Sequence, residues 1–211
     1  MLRITPTLFA LAVALVLLTA ADSSAGKYNP TLSIGDASPT WTKLPGTDGK
    51  EHSFADLQDK KVIVLFFTCN SCEYAIDYED RIIATASKYS GEDSQVAFVG
   101  VNVNLIAADN LDAMKAKAEQ KKFPFVYLFD KSQQIAKDFG GSTTPEFFVF
   151  DQDRKLVYMG SLDDNTDAKK AKVNFVEEAI TATLAGKAPA TTETVPIGCL
   201  IRYDRRRNRG Q

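Results

Sequence analysis

Cys69-Asn70-Ser71-Cys72 sets two thiols at the spacing used for disulfide exchange, and it does so where an apolar strand gives way to a helical stretch. A cysteine at a helix N-terminus faces unpaired backbone N–H groups and the positive end of the helix dipole, which favour thiolate over thiol. Cys69 is therefore the expected nucleophile. Cys72, one turn along and more buried, is the expected resolving cysteine, placed to attack a mixed disulfide formed on Cys69. Two other uses of the pair carry less physical weight. A disulfide between Cys69 and Cys72 closes too small a loop to constrain the unfolded chain much. A zinc site would need Cys199 and the only histidine, His52, with no paired spacing between them.

Three cysteines in all leave at least one thiol over. Cys199, in Val195-Pro196-Ile197-Gly198-Cys199-Leu200-Ile201, reads either as a small buried apolar residue or as a third, auxiliary redox cysteine that swings to Cys69. Thr143-Thr144-Pro145 stands just before an apolar strand. Pro145 there is either a strand-entry residue or a cis-proline whose loop, with Thr144, packs against the cysteines and forms the groove for an extended substrate.

The elements that would position these residues follow from periodicity. Lys61 to Phe67 is an unbroken Val, Ile, Leu and Phe run, as expected of a central strand buried on both faces. The helix after Cys72 reaches about Tyr89. Gln95 to Val103 is a second buried strand, Leu111 to Lys122 an amphipathic helix, and Phe125 to Phe129 a third strand. Gln133 to Phe139 is a short helix stopped by Gly140-Gly141. Phe147 to Phe150 and Lys155 to Met159 flank a turn as a hairpin, and a last helix runs from about Ala168 to Leu184. Trp41 to Leu44 and Glu51 to Phe54, joined through Pro45 to Lys50, make an opening hairpin, followed by a turn at Ala55 to Gln58. The fold class is α/β: a mixed central sheet with helices on both faces and an N-terminal β-hairpin extension.

With 211 residues, 45% apolar and 25% charged, the chain is sized for one ordinary globular domain. A net charge of -2 offers nothing to nucleic acid. Met1 to Ala25, with Arg3, an apolar run from Leu8 to Leu18 and small residues at Ala20, Ala21 and Ala25, reads as a cleavable secretory signal. That run is about eleven residues, against roughly twenty for a membrane span. The expected organisation is a signal peptide over 1–25, an irregular lead-in over 26–37, one domain over 38–190, and an extension over 191–211 with Cys199. The extension's Arg202, Arg205, Arg206, Arg207 and Arg209 form a solvated terminus or an anion-binding tail. Localisation outside the cytoplasm, in a periplasmic or similar space, is expected, with membrane contact only through an uncleaved N-terminal segment.

The C-x-x-C pair after a buried strand, with Thr144-Pro145 ahead of a later hairpin, resembles the thioredoxin superfamily. Phe67-Thr68-Cys69-Asn70, Tyr78-Glu79-Asp80-Arg81, Lys121-Lys122-Phe123-Pro124-Phe125, Thr144-Pro145-Glu146-Phe147-Phe148 and Pro196-Ile197-Gly198-Cys199 extend the match. They resemble the bacterial redoxin, peroxiredoxin-like (AhpC/TSA-related) group over nearly all of Ser38 to Tyr203. The resemblance implies a thioredoxin-like fold. With the cysteine pair, the expectation is an exported thiol-disulfide oxidoreductase that reduces or exchanges protein disulfides through Cys69 and Cys72. It needs no cofactor, and its partners are protein disulfides or thiols and a redox-protein electron donor. Two alternatives stand beside it: a thiol peroxidase with Cys69 as peroxidatic cysteine, and a soft-metal-binding or redox-silent adaptor. Four positions depart from related patterns. Phe66 stands where peroxiredoxins carry a peroxide-holding threonine, Ser71 and Glu73 stand around Cys72 in place of histidine and proline, and Ile63 replaces the buried aspartate of thioredoxin. Glu73 would oppose a thiolate on Cys69, so a moderate reductant or isomerase is expected rather than a strong oxidant.

Overall fold

A computed structural model describes residues 25–204. Apart from Ala25, the signal-like segment lies outside the described residues, as do Arg205, Arg206, Arg207 and Arg209. The elements in chain order are β1 (Leu44–Pro45), β2 (Glu51–His52), β3 (Val62–Phe67), α1 (Glu73–Ser87), β4 (Val96–Asn102), α2 (Leu111–Lys121) and β5 (Val126–Phe129). They continue with α3 (Gln134–Asp138), β6 (Thr143–Thr144), β7 (Glu146–Phe150), β8 (Leu156–Gly160), α4 (Phe175–Leu184) and β9 (Cys199–Leu200). β1 and β2 form the expected opening hairpin, and Phe54–Leu57 is a single 3-10 turn.

The main sheet runs β5-β4-β3-β7-β8. β3, β4 and β5 are parallel, while β7 and β8 return antiparallel. This mixed sheet is the thioredoxin-like architecture. Every residue of β3 is fully buried, and the strand pleat sends alternate side chains to opposite faces. Val62, Val64 and Phe66 pack with Tyr78 and Ile82 of α1 and Val176 and Ile180 of α4. Ile63, Leu65 and Phe67 pack on the other face with Ile135 of α3, Phe139, Phe148 and Leu32 of the lead-in. The lead-in is irregular yet fixed: buried Asn29 accepts the Thr31 and Leu32 N–H groups and donates to the Phe139 carbonyl, each at 2.8 Å.

Two differences from the sequence expectation have local causes. α4 begins at Phe175 rather than near Ala168. Asp164 accepts the Lys172 and Val173 N–H groups, and Asn174 then caps the helix by accepting from Glu177 N–H at 2.9 Å. The C-terminal segment, in which no strand was expected, contributes β9, which pairs antiparallel with β6 in the register Thr144 opposite Cys199. The pairing requires Gly198, because a Cβ there would stand 2.1 Å from the Thr144 carbonyl oxygen. Thr194 anchors the approach to β9 through Tyr158 and Ser161. Beyond it, Ile201 N–H donates to Ser142, and the Tyr203 hydroxyl donates to the Gly141 carbonyl.

Candidate active site

β3 ends at Phe67, and the chain crosses Thr68 to Ser71 before α1 begins. The N-cap of α1 is Cys72, whose Sγ accepts the Ala75 N–H at 3.4 Å. This corrects the expected placement, because Cys72, not Cys69, occupies the helix N-terminus. The cause is Asp109, fully buried at the end of the 3-10 turn Ala107–Asp109 that precedes α2. Its Oδ1 accepts the backbone N–H groups of Asn70 at 2.6 Å and Ser71 at 3.2 Å, and its Oδ2 accepts the Ser71 hydroxyl at 2.5 Å. The segment between the cysteines is thereby fixed as a loop rather than a first helical turn. Asn70 is held further: its Nδ2 donates to the Ala108 carbonyl, and its Oδ1 accepts from the Tyr127 hydroxyl at 3.2 Å. Burial, with the Cys69 and Asp109 charges adding, pushes the Tyr127 phenol well above its ordinary pKa, which keeps it a donor.

Cys69 is a free thiol, only 3% exposed, with Sγ 3.6 Å from Thr144 Oγ1 and 3.9 Å from Ser71 Oγ. It borders a narrow cleft lined by Phe66, Glu79, Phe123, Phe125 and Tyr127. Of these, Glu79 pairs with Lys117 and Lys121 of α2. Cys72 is 4% exposed, so it is no more buried than Cys69, contrary to expectation. Its Sγ lies 3.1 Å from the Thr144 carbonyl oxygen.

The Thr144–Pro145 peptide bond is cis, as the substrate-groove reading of the motif requires. Glu146 shapes this loop: its Oε2 accepts the N–H groups of Ser142 at 2.7 Å and Thr143 at 3.0 Å. Burial raises the Glu146 pKa, and those hydrogen bonds offset part of the rise. The edge of β6 beside the cysteines is not open. β9 covers it, and Cys199 is disulfide-bonded to Cys72 with the two Cα atoms 6.0 Å apart. Cys69, Cys72 and Ala75 form one small cluster against which Cys199 packs.

The structure thus gathers all the candidate residues, Cys69, Cys72, Thr144, Pro145 and Cys199, at one place. Its bond partners differ from the expected ones: Cys72 is joined to Cys199, and Cys69 is the leftover thiol. Asp109 escaped sequence reasoning. It stands between the strand expected to end at Val103 and the helix expected to begin at Leu111, and a single buried acceptor in a 3-10 turn leaves no periodic signal. Among the described residues, no group of three or more His, Cys, Asp or Glu side chains is placed to hold a metal ion.

Residues 34–159 match the family described as AhpC/TSA. The chain belongs to that family. A Coxiella burnetii protein with a peroxiredoxin name is 28% identical over 110 residues, spanning 52% of this chain and 68% of the relative. The thiol-disulfide oxidoreductase ResA of Bacillus thuringiensis is 26% identical over 129 residues, spanning 60% of this chain and 68% of ResA. Among solved structures, a hypothetical protein of Sinorhizobium meliloti superimposes with a TM-score of 0.77 at 28% identity, covering 84% of this chain and 98% of that one. The chain is thus a thioredoxin-fold member of a thiol redox family, whose relatives' names divide between peroxiredoxin and thiol-disulfide oxidoreductase. The family match ends at Met159, so Cys199 lies beyond it.

Proposed function

We propose that the protein is an exported thiol-disulfide oxidoreductase that reduces or exchanges protein disulfides through Cys69 and Cys72. The observation that carries this reading is the convergence of three sulfur atoms on the cis-Thr144–Pro145 loop, two of them already joined in a disulfide. Cys69 as thiolate attacks one sulfur of a partner disulfide, forming a mixed disulfide and releasing the partner's other sulfur as thiolate. Cys72 as thiolate then attacks Cys69 Sγ, which frees the second partner thiol and leaves a Cys69–Cys72 disulfide. A dithiol redox protein supplies the two electrons that restore the enzyme. The edge of β6 held by β9 is the place for an extended partner segment, so the partner binds when the tail has stepped away. A compartment where disulfides persist suits this chemistry, which is why we place the protein outside the cytoplasm, acting on proteins and not on nucleic acid.

A peroxidase reading is favoured by the two hydroxyls facing Cys69 Sγ, from Thr144 and Ser71, which could orient a peroxide. There Cys69 is oxidised to a sulfenic acid, and Cys72 condenses with it, releasing water. One experiment separates the two. The reduced protein is given insulin or hydrogen peroxide in parallel with a dithiol donor, and reduction of each is followed. The oxidoreductase reading expects catalytic insulin reduction that Cys69→Ser abolishes. Peroxide consumption without insulin reduction would replace it with the peroxidase reading.

A further inference from the structure

We infer that Cys199 is the exit cysteine of a three-thiol relay, in which the oxidised bond made at Cys69–Cys72 is passed to Cys72–Cys199. The inference rests on the oxidoreductase reading above and adds a catalytic residue to it.

Four observations carry it. Cys72 is bonded to Cys199 while Cys69, the other half of the C-x-x-C pair, is a free thiol. Cys199 faces Thr144 in the β6–β9 register, and the same Thr144 contacts Cys69 through its hydroxyl and Cys72 through its carbonyl. One residue thus indexes all three sulfurs. The approach is built for closeness, since Gly198 lies where any Cβ would collide with the Thr144 carbonyl. Finally, exposure is graded: Cys69 and Cys72 are buried, Cys199 is half-buried, and Leu200 beside it is 76% exposed. Electrons entering from another protein meet Cys199 first.

The steps balance. After turnover the Cys69–Cys72 disulfide is present and Cys199 is a thiol. The tail docks as β9, Cys199 loses its proton to solvent, and its thiolate attacks Cys72 Sγ. The Cys72–Cys199 bond forms as the Cys69–Cys72 bond breaks, and Cys69 leaves as thiolate, to act again once reduction frees Cys72 and releases the tail. No electrons are gained or lost in this exchange. A donor dithiol then attacks Cys199 Sγ, expelling Cys72 as thiolate. The donor's second thiol displaces Cys199, leaving the donor oxidised and the enzyme with three thiols.

The test is disulfide mapping after one turnover. The fully reduced protein is given one equivalent of oxidised insulin, quenched with acid, alkylated, digested and read by mass spectrometry. The relay expects Cys69 alkylated and a Cys72–Cys199 linked peptide, with Cys199→Ser converting the product to a Cys69–Cys72 linked peptide and blocking Cys69. A wild-type product that stays Cys69–Cys72 with Cys199 alkylated overturns the relay and leaves the oxidoreductase reading standing. Intact insulin with all three cysteines alkylated overturns that reading, and the relay with it. Because the decisive pattern is read on the wild type, it does not depend on how the variant folds.

Discussion

Replacing Gly198 by alanine should loosen the Cys72–Cys199 bond without touching a sulfur atom. A Cβ at this position would stand 2.1 Å from the Thr144 carbonyl oxygen, 2.5 Å from its carbon and 3.1 Å from Pro145 N. These are backbone atoms tied into β6 and the cis peptide, so they cannot rotate aside. The strand must instead retreat by about 1 Å, and overpacking of this kind costs about 2 kcal/mol. The penalty falls on the oxidised form, because the bond to Cys72 holds β9 against Thr144 whereas the reduced tail can step away. At 30 mV per 1.4 kcal/mol for a two-electron couple, the midpoint of the Cys72–Cys199 pair should move about 40 mV toward easier reduction. The assay is equilibration of wild type and Gly198→Ala in graded thiol-disulfide buffers, followed by acid trapping and thiol counting. Equal midpoints, within about 10 mV, would mean that β9 does not need its close seat on Thr144 to hold the bond, and the reasoning would fail.

Three further outcomes follow from the same contacts. The disulfide spans 127 residues, so Cys199→Ser should lower stability by up to roughly 5 kcal/mol on chain-entropy grounds, and an oxidised wild type no more stable than the variant in urea would contradict this. Asp109→Ala strands the Asn70 and Ser71 N–H groups and should cost about 3 kcal/mol in the same assay, with Asp109→Asn milder because an amide oxygen still accepts. A loss below about 1 kcal/mol for the alanine variant would show that the loop does not depend on that carboxylate. For Glu146 the folded pKa lies above the ordinary value of 4.5. Its contribution is therefore fully present below that value and is lost as pH rises through the raised folded pKa. Wild type should lose stability relative to Glu146→Gln over that window, and a wild type that gains on the variant as pH rises would reverse the assignment.

Much of the architecture was legible in the sequence. The unbroken apolar run of β3 is what a two-faced central strand must look like, and the pleat divides it between two cores as that pattern requires. The C-x-x-C pair and the cis-proline were legible because each places an uncommon residue type at an element boundary. Which sulfur bonds to which was not. That depends on β9, a two-residue strand too short to carry a period, and on Gly198, which in sequence is one small residue among several. The order of the cysteines at the helix start depends in turn on Asp109, thirty-seven residues beyond Cys72 in sequence yet bonded to the loop between the cysteines. Long-range polar contacts of that kind set the details of a site while leaving the hydrophobic pattern unchanged.

These cysteines are proposed to work as a reversible redox couple. The most direct measurement is a redox titration of the protein with free thiols trapped and counted at each potential. A working couple gives one reversible two-electron transition between about -120 and -270 mV, with one thiol per chain remaining in the oxidised form. An absence of any such transition, with three thiols counted throughout or a bond that no buffer in this range reduces, would contradict it.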